Sequence, residues 1–298
     1  MNVDQPRVWK SPLDGRYYGQ AEPRVFEAQL IQPGDVSGVE AVTVLDEVLG
    51  LASLQYVLRQ ACRPVRMDAL KARVDIATKL AGQEKVPPLV EAELSGQSYT
   101  VVEFDLWKNV VHIAVSDEAR KKAAHDVLGL HVSDAARDLA RMENKQIAEE
   151  MLSATDVAGS DWGDSANNPF DDIVGAYTTI EGNGYPVDYI AADPLVWADF
   201  FSNPYVKGTM KGVQYPGGKV FPVPGLPGVT GISDGALPDT TAYVGSRMAP
   251  ALVFGEGPIE AARYRDEKAG YDAYIIRQWL QPKLVLADAI RELTGVHA

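Results

Sequence analysis

The stretch Val102–Ala119, VEFDLWKNVVHIAVSDEA, changes character twice along its length. With Tyr99 and Val101 just upstream, Val102, Phe104 and Leu106 have the make-up of a strand. Val110–Val115 (VVHIAV) is a second, apolar strand. Ser116 then suits a helix N-cap, and Asp117 and Glu118 lie in the first turn, where the helix dipole favours negative charge. The expected helix runs through EARKKAAHDVL to about Leu128. A second helix begins near Val132 and continues to about Ala154, some 35 Å at 1.5 Å per residue. One apolar stripe on it is Leu128, Val132, Ala135, Leu139 and Met142; another is Ala136, Ala140, Ile147 and Met151. Two adjoining stripes give a broad buried face and predict a central spine helix.

Upstream, PVRMDALKARVDIATKL shows partial alternation, with Val74 and Ile76 flanking Asp75, and Pro87-Pro88 breaks the chain before it returns. Two limbs of about 15–20 residues would make a hairpin reaching roughly 50–65 Å. Its tip is poor in large apolar residues, so it needs a partner surface to bury against. Val42, Leu45, Leu49, Leu54, Val57 and Leu58 predict an amphipathic helix from Val39 to about Ala61, interrupted or bent near Gly50 and ended by Arg63-Pro64. Before it, Pro6, Pro12, Pro23 and Pro33 forbid a continuous helix. Trp9, Tyr17, Tyr18 and Phe26 point to an extended arm lying on something else.

Downstream, residues 155–169 are turn-rich and read as a loop. Phe170 to about Ile180 is helical, Asn183-Gly184 is a turn, and Val187–Ala192 is a buried strand. Asp193-Pro194 opens a short helix, LVWADFFSN. Residues 203–242, crowded with Pro and Gly, predict strands joined by tight loops. Tyr243–Gly245, Ala251–Phe254 and Ile259–Tyr264 read as strands. Tyr271–Leu280 and Lys283–Ala289 read as a closing pair interrupted by Pro282.

Of 298 residues, 46% are apolar and 23% charged, a globular composition with length for one large domain or two intertwined ones. No apolar run approaches the roughly 18 residues of a membrane span, and the first residues lack the apolar core of a secretory signal. Cys62 stands alone, which excludes an internal disulfide and suits a buried small apolar position in a reducing compartment. The net charge of −13 argues against a sequence-reading nucleic-acid binder. Charge is uneven, however. Residues 1–58 carry 4 basic and 8 acidic side chains, residues 59–85 carry 7 and 3, and residues 86–298 carry 17 and 30. A basic segment on an acidic body suits self-association; an ordinary solvated surface explains it equally well.

Catalytic and metal-binding patterns are missing. His112, His125, His131 and His297 form no HxxxH or HExxH pair and have no cysteine beside them. His112, inside an apolar strand, reads as a structural histidine. Gly225, Gly228 and Gly231 lack the strand-to-helix setting of a dinucleotide fingerprint and read as loop glycines. There is no GxxxxGK[ST] and no GxSxG. Asp171-Asp172 and Glu149-Glu150 are ordinary helix-surface pairs. No enzyme activity and no cofactor are expected.

The order of these elements resembles the major capsid proteins of tailed double-stranded DNA viruses with the Hong Kong 97-type fold. VEFDLWKNVVHIAVSDEA (102–119) is similar to the junction from the extended loop into the peripheral domain, with Ser116, Asp117 and Glu118 at the helix start. ENKQIAEEML (143–152) resembles the acidic end of the long spine helix. VDYIAADPLVWADFF (187–201) resembles an axial-domain strand and its small helix. Residues 220–246 resemble the Gly/Pro-rich strand pair, and 260–293 the returning peripheral strands. The resemblance covers roughly 64–293.

It implies an α+β fold: an N-terminal arm and helix (1–63), an extended β-hairpin loop (64–106), a peripheral domain with a long spine helix (107–164 and 250–282), and an axial domain (165–249 and 283–298). It further implies a structural protein that self-assembles non-covalently into hexamers and pentamers of an icosahedral virion capsid. That shell would enclose double-stranded DNA without sequence-specific binding, away from membranes, with assembly in the host cytoplasm. Arg66, Lys71, Arg73, Lys79 and Lys85 of the extended loop are the expected inter-subunit contacts. Scaffold, portal and decoration proteins are the further partners implied. Some family members cross-link a loop lysine to an asparagine near the C-terminus. Lys79 or Lys85 would supply the lysine, but the last asparagine is Asn203, so cross-linking is not expected. About 35 residues precede the first helix, so any scaffold is expected to be a separate protein or absent. An encapsulin-type nanocompartment shares the fold and is the nearest alternative; a soluble enzyme with an unrecognised site is the alternative of another class.

Overall fold

The computed structural model describes residues 8–10, 17–19, 36–53, 55–77, 99–118, 127–210, 218–249 and 251–298. The chain divides into two compact units. One comprises residues 1–51, 110–136 and 260–277; the other comprises 52–109, 137–259 and 278–298.

The larger unit is built on a mixed six-stranded sheet ordered β7-β14-β11-β8-β10-β9. Its strands are β7 (Thr155–Ala158), β8 (Tyr189–Ala192), β9 (Val220–Pro222), β10 (Thr230–Ser233), β11 (Thr241–Gly245) and β14 (Ile290–Thr294). β7 with β14 and β8 with β10 are parallel; the other pairs are antiparallel. All of β8 is buried, and the two-residue period of a strand divides it between two cores. Ile190 and Ala192 join Trp162, Ile173, Trp197, Phe200 and Leu293 on one face. Tyr189 and Ala191 join Leu58, Cys62, Ile147, Met151 and Ile290 on the other. Ile147 and Met151 come from α2 (Val127–Met151), the spine helix, and both of its expected stripes are buried wherever side chains are described, with Met142 at their half-buried edge.

Three helices cover the first face, and each starts in the same way. Asn168-Pro169 opens α3 (Pro169–Gly182), Asp193-Pro194 opens α4 (Pro194–Ser202), and Asn203-Pro204 opens α5 (Pro204–Thr209). The capping side chain accepts a backbone N–H two residues on, and proline at the first helical position gives up only an orphan donor. Asn203 does more. Its buried amide nitrogen donates to the carbonyls of Trp162, Asp164 and Asn167 at 2.9, 3.3 and 3.0 Å, pinning the 159–168 loop.

In the other unit, β1 (Val8–Lys10) pairs antiparallel with β2 (Tyr17–Gly19), so the described part of the expected arm is a strand pair. α1 (Val36–Ser53) runs through Gly50 without interruption; the helix ends at Ser53, before a 3-10 turn at Leu58–Ala61. Buried Asp272 receives Arg263 at 3.1 Å and Arg265 at 3.4 Å. Arg265 also grips Asp117 at 2.7 Å. His112 is exposed on its strand, with Nε2 2.9 Å from the Tyr264 hydroxyl.

A four-stranded sheet has the order β3-β12-β13-β6, where β3 is Arg63–Arg66, β6 is Trp107–Ser116, β12 is Leu252–Asp266 and β13 is Tyr271–Leu284. Several expectations are corrected here. β12 is one strand rather than two; it passes Gly257, where an added Cβ would fall 2.8 and 2.9 Å from atoms of Leu106 and Trp279. β13 continues through Pro282, since one proline removes one donor and not a strand. Lys283 and Leu284 are the end of β13 itself, and residues 285–289 form no strand beside it; β14 follows and joins the six-stranded sheet. The 155–169 loop contains β7, and the Pro/Gly-rich segment contains α5. The spine helix begins at Val127 rather than Val132. Residues 117 and 118 are helical, and the rest of the helix expected before it lies outside the described residues up to Val127. Gly225 and Gly228 are loop glycines with positive φ, but Gly231 is in β10, packed by the Phe221 ring.

Candidate functional site

The segment that the charge pattern singled out leaves the 3-10 turn, forms β3, and enters a two-stranded ribbon of β4 (Lys71–Ala77) and β5 (Tyr99–Asp105). The register Lys71↔Asp105, Arg73↔Glu103, Val74↔Val102 makes this the expected hairpin over its described length. Its base is not suspended. Phe104 and Leu106 are buried with Met67 and Val253, and Ala72, Val74 and Val102 pack partly against them. Gln281 accepts the Asp105 N–H at 2.6 Å, and Lys283 donates to the Glu103 carbonyl at 2.8 Å. Residues 78–98, including Lys79 and Lys85, lie outside the described residues.

The other face of the ribbon is a charged ladder. Lys71 pairs with Asp105 at 3.1 Å and Arg73 with Glu103 at 2.7 Å, all four side chains being at least 60% exposed. Such pairs contribute about 0.2–1 kcal/mol each. Counted whole, residues 64–106 hold 5 basic and 7 acidic side chains, so the expected basic character belongs to the outgoing strand and is answered by the returning one. Arg66, beside the ladder, has no ionic partner among the described residues. Next to the ribbon stand exposed Leu70, Val101 and Trp107, the indole being 66% exposed.

Arg59, first of the seven basic residues, is engaged inside. Its Nε and Nη2 meet both oxygens of Glu143 at 2.7 Å, and its Nη1 lies 3.3 Å from Glu256. Gln278 donates to the same Glu143 carboxylate at 2.9 Å. The guanidinium also lies over the Tyr56 and Phe254 rings. Burial pushes the Glu143 carboxyl up, against the pull of Arg59. Burial also opposes the Arg59 charge, but Glu143 outweighs it and raises the guanidinium further. A bidentate contact with a group that keeps its proton leaves this a charged pair. Composition could not find Glu143, but one signal was available: it is a carboxylate between Ala140 and Ile147 on the second apolar stripe.

Cys62 is fully buried as expected, and burial pushes its thiol up, away from the reactive thiolate. Among the described residues no group of His, Cys, Asp and Glu could hold a metal, and no helix is long and apolar enough to cross a membrane.

His297 Nδ1 contacts Asp199 of α4, with Asp161 and Asp239 nearby; the Asp199 contact raises the imidazole above its usual 6.5. A raised histidine stabilises the fold fully below the unfolded value, and the contribution fades as pH climbs through the folded one. Amide exchange of residues 294–298 is therefore expected to be slower at about pH 5.5 than at about pH 8.5, beyond the intrinsic rate change. In His297→Gln that excess protection should vanish; its survival would show that another group titrates.

The family described as phage capsid protein matches residues 113–290. Among solved structures, the chain is similar to the capsid of a native GTA particle (TM-score 0.63, 14% identity, covering 81% of this chain and 90% of that one). It is also similar to a virus-like particle from Pyrococcus furiosus (0.60, 14%, 84% and 97%) and to a structure of Gordonia phage Cozz (0.61, 15%, 80% and 85%). At these identities the likeness is one of fold, the Hong Kong 97-type fold. No curated protein matches the chain.

Proposed function

The chain belongs to the phage capsid protein family, and from that premise we propose that its copies form the hexamers and pentamers of an icosahedral shell around the double-stranded DNA of a tailed phage. The protein is structural, a component of the virion capsid. Heterologous contacts close into shells when their rotations permit. The arm, the 64–106 hairpin, the peripheral domain (107–164 and 250–282) and the axial domain (165–249 and 283–298) are proposed as its working parts. Non-covalent contacts hold them, and assembly takes place in the host cytoplasm. Scaffold, portal and decoration proteins are proposed as its further partners. Arg66, Lys71, Arg73, Lys79 and Lys85 are proposed to face acidic groups of a neighbouring copy.

One observation carries this reading: the family match spans 113–290, from the apolar strand through the spine helix to the closing strands. The second reading is a nanocompartment of the same fold holding cargo protein, and the chain's likeness to a virus-like particle is compatible with it. Electron microscopy of the purified protein is expected to show closed shells, and virions isolated from infected cells should hold nuclease-resistant DNA inside shells of this chain. Protein cargo in place of DNA would select the second reading. A stable monomer under all assembly conditions would defeat both.

A further inference from the structure

In the larger unit, a cavity of about 520 Å³ opens between the start of β3, strands β8 and β10, and the turn after β11. Gln60, Arg63, Asp188, Tyr189, Arg247 and Met248 line it, with glycine, threonine, proline and isoleucine completing the walls. The turn is held rigidly. Asp188 accepts the backbone N–H of Arg247 at 2.8 and 3.0 Å and that of Met248 at 2.9 Å. Arg63 is fixed at the backbone by its register with Val253. Both guanidinium groups are exposed, and neither has an ionic partner among the described residues. On a chain with 41 acidic and 28 basic side chains, two arginines without an ionic partner among the described residues stand at this one cavity. Met248, at its rim, is 76% exposed.

We propose that this cavity receives an acidic surface segment of a second copy of the chain, its carboxylate engaging Arg63 and Arg247 and its apolar atoms covering Met248. Arginine's planar fork suits a carboxylate, and arginine and methionine are both enriched where proteins meet. A phosphodiester backbone is the poorer occupant. It has no use for exposed Met248, and it would meet the Asp188 carboxylate without an N–H to offer, whereas a polypeptide brings acids, apolar groups and donors together. β3 continues from this cavity into the proposed inter-subunit hairpin, which places the two contacts along one surface strip. The inference rests on the shell reading.

The test compares the full chain with Arg63→Ala/Arg247→Ala and Arg63→Lys/Arg247→Lys by light scattering and electron microscopy across a salt series. The alanine pair should keep the subunit's circular dichroism and melting temperature, yet need about tenfold more protein to assemble. The salt dependence seen for the natural chain should weaken in it, and the lysine pair should fall between the two. An unchanged assembly threshold at every salt concentration overturns the inference while the shell reading stands. Shells that assemble normally but retain less nuclease-protected DNA also overturn it, assigning the cavity to phosphate. Failure of the natural chain to form shells at all defeats the shell reading itself, and this contact with it.

Discussion

Replacing Glu143 by glutamine is expected to cost the subunit about 3–5 kcal/mol, because it leaves a largely desolvated guanidinium facing a neutral amide. Few single changes approach the net stability of a domain, about 5–15 kcal/mol, as closely. Glu256, 3.3 Å from Arg59 Nη1, softens the loss, as does the 26% exposure of the Arg59 side chain, so the lower end is the expected value. Arg59→Met combined with Glu143→Leu should recover most of it, since a buried ion pair replaced whole by apolar groups is often neutral. Urea unfolding of unassembled subunits measures both. A loss below about 1 kcal/mol for Glu143→Gln would mean that the carboxylate is already protonated in the folded chain, and that the pair is a neutral hydrogen bond.

Reversing Arg66, Lys71, Arg73 and Lys79 together is expected to abolish assembly while leaving the subunit folded. The ladder ion pairs that the reversal breaks are exposed, so the fold gives up about 2 kcal/mol at most. The reversal alone cannot separate two causes, because Lys71 and Arg73 also face Asp105 and Glu103 across the ribbon. Exchanging the signs, with Lys71→Glu, Arg73→Glu, Glu103→Arg and Asp105→Lys, keeps the ladder and inverts what a neighbour meets. This variant too should assemble poorly. Full assembly, seen by gel filtration and electron microscopy, would show that the ribbon needs only its internal pairing.

How far the chain could be read in advance varied with how local its determinants were. The spine helix announced itself through Val132, Leu139, Ile147 and Met151, because helical spacing writes a buried face directly into sequence. The caps at Asp193 and the strand Tyr189–Ala192 were legible for the same reason. β7 was not, because Thr155–Ala158 holds its conformation through parallel pairing with Arg291–Thr294, more than 130 residues away. α5 was hidden in a compositional reading of residues 203–242, although Asn203-Pro204 repeats the motif that opens α4. The basic character of residues 59–85 does not extend to the whole hairpin, because Glu103 and Asp105 follow on its returning strand. Cross-strand register is what brings them opposite Arg73 and Lys71, and no linear window contains it.

The anchoring of Arg59 has a mechanical consequence. Only three residues separate it from the strand that leads into the hairpin, and its grip reaches the spine helix at Glu143, β12 at Glu256 and, through Glu143, β13 at Gln278. A pull on the hairpin from outside would therefore be shared by three long elements before it could unzip the turn at Leu58. Stress arriving through that loop is spread over the rigid frame of the unit instead of concentrating at its hinge.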